Sequence, residues 1–212
     1  MKSYKRYFTD RTFLICFWSG VVLLVISLVT QFFINGYVTR SISVPVTDII
    51  LSNTRVYAVG GIFIWGAVAL VVIGVIICAR NIQYTPFVMK CIALFTLIRS
   101  VFVSLTHISP FPTHVIIRSA FFNREVFQGI FTGNDLFFSG HTGIPFLLAL
   151  IFWENKTLRI IFLGFSVMFG IVVLLGHLHY SIDVLSAFFI TYSIYHICEL
   201  FFKTDKKIFD SK

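Results

Sequence analysis

The 212-residue chain is 58% hydrophobic and 12% charged, with 26 Phe and a mean hydropathy of +0.91. Soluble domains balance roughly half apolar against a quarter charged residues, so a soluble globular protein is excluded. The net charge of +8 does not point to nucleic acid, because Lys and Arg flank apolar runs instead of forming a solvated basic patch.

Apolar stretches approach the ~20 residues that carry a helix across a ~30 Å hydrocarbon core, whereas barrel strands would alternate over ~10 residues. The expected fold is therefore all-α, a polytopic membrane helical bundle of six transmembrane helices forming one domain, 1–212, without internal repeats. The first span, 12–34, follows the basic start MKSYKRYFTDR, yet it is too long for a signal-peptide core and lacks a small-residue cleavage site. It is expected to persist as a helix. The remaining spans are placed at 57–79, 84–105, 136–154, 158–176 and 182–202. Pro86 opens the third, where the first helical turn tolerates it, and Pro145 sits early in the fourth. The loops after the first and third spans are long and hold Pro45, Pro110 and Pro112.

An even number of spans puts both termini on one side. Lys2, Lys5, Arg6, Arg11, Arg80, Lys156, Arg159 and the C-terminal lysines gather there, against Arg40, Arg55, Arg118 and Arg124 on the other. The positive-inside bias then makes the termini cytoplasmic and directs the long loops to the periplasm, lumen or exterior. Lys90 and Arg99 fall inside the third span, where a cation needs a partner or a route to the interface. Lys90 is expected to snorkel; Arg99 either snorkels outward or serves the site. Residues 115–132 read as an interfacial or re-entrant helix over the outer face. Cys16, Cys78, Cys91 and Cys198 lie in apolar runs without paired spacing, which signals packing, not disulfides or zinc.

This topology brings two polar islands to one membrane face. SGHTG (139–143) sets small residues, two hydroxyls and backbone N–H groups at a helix start, a setting that suits phosphate oxygens. The same pattern is also an ordinary N-cap by Ser139 or Thr142. HYSID (179–183) spaces His179 and Asp183 four apart, on one helical face, where the carboxylate can fix the imidazole tautomer for a nucleophile or base. Against this stands a capped helix start, with Ser181 or Asp183 as N-cap and His179 solvated. His177 with His179 makes HxH, but no second ligand set accompanies it as a metal site requires. His107, His114 and His196 read as packed or interfacial residues.

Together, GNDLFFSGHT and GHLHYSID resemble the sphingomyelin synthase branch of the type 2 phosphatidic acid phosphatase superfamily, with VPVTDI (44–49) and the Arg99 to SPFP segment as weaker upstream similarities. The resemblance implies that His179 is the nucleophile, Asp183 its orienting carboxylate and His141 the acid and then base. It implies no metal and no other cofactor, and membrane lipids as donor and acceptor. Arg99, Ser139, Gly140, Thr142, Asp135, Arg118, Arg124 and Tyr180 are the candidates for holding phosphate. The chain departs from the superfamily at KxxxxxxRP, which is absent, and at its Ser-Arg pair, where Val172 and Val173 stand. Arg99, backed by Arg118 and Arg124, is expected to replace that arginine. GND also stands where the synthases usually have CGD. The expected activity is transfer of a phospho-headgroup between lipids through phosphohistidine, with lipid phosphate hydrolysis as the alternative. A non-enzymatic channel or transporter subunit would spread polar residues through all depths of several spans, and here they cluster at one end.

Overall fold

The structure, a computed structural model, describes residues 4–41, 43–117 and 136–211. The described residues fold into helices and connecting turns: α1 (Tyr4–Thr9), α2 (Arg11–Arg40), α3 (Ile49–Ser52), α4 (Gly60–Arg80), α5 (Thr85–Leu105, led in by the 3-10 turn Ile82–Tyr84), α6 (Gly140–Ile151), α7 (Lys156–Leu175), α8 (Ser181–Phe201) and α9 (Lys203–Asp210). Five of them, α2, α4, α5 with its leading turn, α7 and α8, are long and apolar enough to cross a membrane. The protein is an integral membrane helical bundle. Most of the expected re-entrant stretch, 115–132, lies outside the described residues.

The fourth span departs from expectation. Instead of one helix over 136–154, α6 has 12 residues, about 18 Å at 1.5 Å per residue. Residues 136–139 precede it without helical structure, and a turn follows Ile151. The pass across the bundle is still completed, because Phe152 reaches the far end and packs against Tyr84 and Phe209 at 5.4 Å each. Ser139, in an extended conformation, sets the start of the helix and caps it, and Pro145 lies within the helix, with no N–H to give residue 141 in the ladder. The backbone ahead of it is served from outside: Thr106 Oγ1 donates to the Leu136 carbonyl at 3.1 Å, Arg99 Nε to the Phe138 carbonyl at 3.1 Å, and Ser139 N–H to the Asp183 carbonyl at 2.9 Å. Irregular backbone at membrane depth requires such internal partners.

α6 lies against α7 and α8, while α2 runs along α5. The core shared by α5, α6, α7 and α8 is aromatic, built from Phe87, Phe95, Phe138, Phe162 and Phe169 with Leu147 and Ile194. At Gly143 a Cβ would come within 2.7 Å of Phe95 and 2.9 Å of Thr191, so glycine permits the closest approach of α5, α6 and α8. The four cysteines are free thiols, three of them buried.

α1 and α9 both pack against the 82–84 turn, which places the N- and C-terminal helices at one end of the bundle. Here the expectation for Lys90 is corrected. It does not snorkel: it is 8% exposed, and its Nζ pairs with Asp205 Oδ1 of α9 at 2.7 Å. The sequence separation of these residues hides the pair, since α9 folds back only after α8 has returned the chain to this end.

Candidate active site

The site lies at the opposite end of the bundle and is assembled from loop connections. Asp48 organises it. Its Oδ1 accepts the N–H groups of Ile50 and Leu51 at 2.9 and 3.0 Å, capping α3, while Oδ2 accepts the N–H and hydroxyl of Ser181 at 2.7 and 2.8 Å, tying down the start of α8. Tyr180 joins the same knot: its hydroxyl donates to the Ser109 carbonyl at 2.8 Å and accepts the Val46 N–H at 3.2 Å. Burial raises the Asp48 pKa, but the hydrogen bonds from Leu51, Ser181 and Ile50 outweigh it and hold the carboxyl below its ordinary value. The stabilisation is therefore present above the unfolded carboxyl pKa of ~3.9 and is lost as pH falls through the lower folded value. Replacing Asp48 by Asn puts an amide donor where Oδ2 or Oδ1 accepted. We expect Asp48→Asn to cost about 1–3 kcal/mol at neutral pH, with the difference from wild type shrinking in thermal melts toward pH 3, below the usual carboxyl pKa of ~3.9.

The turn from α7 to α8 carries the histidines. Gly176 has no room for a side chain, since a Cβ would lie 2.5 Å from Val59. His177 follows in the left-handed region at φ 53°, a conformation that disfavours side chains. Its Nδ1 lies 2.6 Å from Thr113 Oγ1, and Val115 N–H bonds the Gly176 carbonyl at 2.9 Å, so two loop contacts hold this turn. Burial lowers the His177 pKa, partly offset by the Thr54 backbone and by Asp48. His177 thus serves the turn that delivers His179.

His179 and Asp183 meet as their spacing suggested. Nδ1 of His179 lies 3.3 Å from Asp183 Oδ2, at the long end of hydrogen bonding, and the two residues are 6% and 1% exposed. The same Oδ2 accepts the Tyr180 N–H at 3.1 Å, so Asp183 is both the capping carboxylate at the third position of α8 and the partner of His179. The capped start and the paired histidine coexist; the N-cap residue is Tyr180, not Ser181 or Asp183, and His179 is buried, not solvated.

His141 stands on the first turn of α6, with its ring 4.1 Å from that of Phe63 and 5.7 Å from Phe169. Phe63 belongs in turn to the cluster with Val184 and Leu178, which joins the His141 side of the site to the 178–184 segment. The Ser139 to Asp183 backbone bond makes a second link between them. Arg99, His141 and Gly140 line one cavity of about 200 Å³. Arg99 does not snorkel: it is 7% exposed, and a Cβ on Gly140 would lie 3.3 Å from its Nε, so the glycine lets the guanidinium sit against the start of α6.

Ser139, Thr142 and Tyr180 are buried at the same end of the bundle, and His179 and Asp183, like them, do not line that cavity. The first three are 1% exposed or less. Ser139 Oγ accepts the Thr142 N–H at 3.4 Å. Asp135, Arg118 and Arg124 lie outside the described residues. Among the described residues, no three His, Cys, Asp or Glu side chains form a metal-ligand group. Sequence reasoning missed Phe63 and gave Asp48 no structural role, although an aspartate just before a short apolar run is itself an N-cap signal.

Residues 132–200 match the PAP2 superfamily C-terminal model. The segment is about a third of the chain and contains His141, His179 and Asp183. The PAP2 match supports the type 2 phosphatidic acid phosphatase superfamily, and with it phosphatase or phosphotransferase chemistry on membrane lipids. No curated protein and no solved structure matches the chain.

Proposed function

We propose that the protein moves a phospho-headgroup between membrane lipids through a phosphohistidine, in the manner of the sphingomyelin synthase-like branch. The observation that carries this reading is the buried His179–Asp183 contact at 3.3 Å, backbone-linked to the helix start that holds His141. With Asp183 accepting from Nδ1–H, the lone pair of Nε2 is the nucleophile. Nε2 attacks phosphorus in line, the bond from phosphorus to the lipid oxygen breaks, and His141 gives that oxygen its proton. His141 then takes the proton of an acceptor hydroxyl, whose oxygen attacks phosphorus as the P–N bond breaks. Arg99 stabilises the phosphoryl oxygens from the cavity wall. That role falls to α5 because buried Val172 and Val173 occupy the positions on α7 where the superfamily has its Ser-Arg pair. The termini are cytoplasmic in this reading, and the site opens to the periplasm, lumen or exterior.

Incubation of the purified protein with labelled phosphatidylcholine, phosphatidylethanolamine and phosphatidylinositol, with and without ceramide or diacylglycerol, tests the proposal. The expected product is a labelled headgroup on the acceptor. Free phosphate released from phosphatidate without any headgroup transfer would establish hydrolysis instead. Arg99→Ala should lower kcat on the order of 10²-fold, the usual scale for removing one such donor. Unchanged kinetics in a variant that melts like wild type would remove Arg99 from the chemistry.

A further inference from the structure

The cavity that holds Arg99 and His141 is walled also by residues of α2, α4 and α7. Its remaining wall carries two polar side chains, Gln31 of α2 and Thr96 of α5, among apolar residues such as Leu70, Val71 and Phe95. Thr96 lies three residues before Arg99 on the same helix, about 4.5 Å along the axis at 1.5 Å per residue. Its hydroxyl donates to the Ile92 carbonyl at 2.9 Å, which leaves its oxygen able to accept but not to donate a further hydrogen bond. Gln31 is half-buried, and its carboxamide makes no hydrogen bond to another described residue. A polar amide on a helix long and apolar enough to cross a membrane is costly in hydrocarbon unless something pairs with it.

The wall therefore carries a cation and an imidazole at the head, the Gln31 amide near their level, and an acceptor about one helical turn deeper at Thr96, among apolar residues. We propose that Gln31 and Thr96 form a linkage-reading subsite, which selects lipids bearing an acyl carbonyl a few bonds from the phosphate over lipids whose phosphate joins plain hydrocarbon. The Gln31 carboxamide N–H donates to that carbonyl, and Thr96 accepts from an amide N–H or hydroxyl where the lipid has one. This assignment rests on the proposed lipid chemistry of the same site and adds its specificity.

Dioctanoyl phosphatidate and its dioctyl ether analogue share the phosphate and chain length and differ in the carbonyls. Their binding to the full-length protein in detergent micelles is read as ligand-dependent protection from heat unfolding, which needs no turnover. Wild type should bind the diester about three- to tenfold more tightly, the scale of one net hydrogen bond. Gln31→Leu should bind the two equally, with Thr96→Val as a second variant expected to retain the preference for the diester, which offers Thr96 no donor. Equal binding by wild type, a preference that survives Gln31→Leu, or binding of neither ligand would overturn the subsite. Preferential binding without turnover of any phospholipid supports the subsite and sinks the proposed reaction, so the two fail separately.

Discussion

His179→Ala should abolish turnover, and Asp183→Asn should lower kcat by on the order of 10⁴-fold, the scale seen when the carboxylate behind a catalytic histidine becomes an amide. The two losses differ in origin. Removing His179 deletes the atom that bonds to phosphorus in the proposed reaction. An asparagine in place of Asp183 keeps its shape but presents either an amide N–H or a neutral oxygen to Nδ1, so the reactive tautomer loses its charged partner. Asp183 also accepts the Tyr180 N–H at 3.1 Å and its main-chain carbonyl accepts from Ser139 at 2.9 Å. The asparagine variant preserves the second bond and can keep the first through its carbonyl oxygen, which then turns the amide nitrogen away from His179. Headgroup transfer and single-turnover labelling of the protein measure the effect, with thermal melting as the fold control. Near-normal transfer by either variant, folded and inserted, would remove the phosphohistidine route.

The spans and both polar islands are readable in the sequence because their signals are local. Hydropathy over ~20 residues marks a spanning helix, and a spacing of four puts His179 and Asp183 on one face. Lys90 and Asp205 illustrate what local patterns omit: each looks like an interfacial charge until α9 folds back under α5. α6 departs from its sequence pattern for a related reason. The apolar run from Leu136 to Trp153 reads as one helix, yet its first residues are held out of the helix by Arg99, Thr106 and the Asp183 carbonyl, partners that only the assembled bundle supplies. The two fates open to Arg99 in the sequence reflect the same missing information. The glycine at 140 decides between them, because it opens the space into which the guanidinium fits.

Lys90→Met is expected to be the most destabilising single change away from the site, at about 3–5 kcal/mol, because it strands a buried carboxylate. Asp205 is 3% exposed and its 2.7 Å partner would be gone. The surrounding helix is held by Phe209, which packs tilted at 4.5 Å against Tyr84 and 5.4 Å against Phe152, and by Lys206 over the Phe87 and Phe209 rings at 5.6 and 4.9 Å. Undocking α9 to rehydrate Asp205 would sacrifice those contacts as well. The double variant Lys90→Met, Asp205→Leu removes both charges and replaces them with apolar groups of similar size, a change that is often neutral or stabilising for a buried ion pair. Thermal unfolding of the four proteins in one detergent closes the cycle: a low midpoint for each single variant and a near-wild-type midpoint for the double. Single variants that melt like wild type would mean that the pair is hydrated at this end of the bundle. A double variant as unstable as Lys90→Met would mean that the pair, and not the burial of one unpaired charge, docks the C-terminal helix. Transfer activity should follow stability in this series, because the pair lies at the end of the bundle opposite His141 and His179.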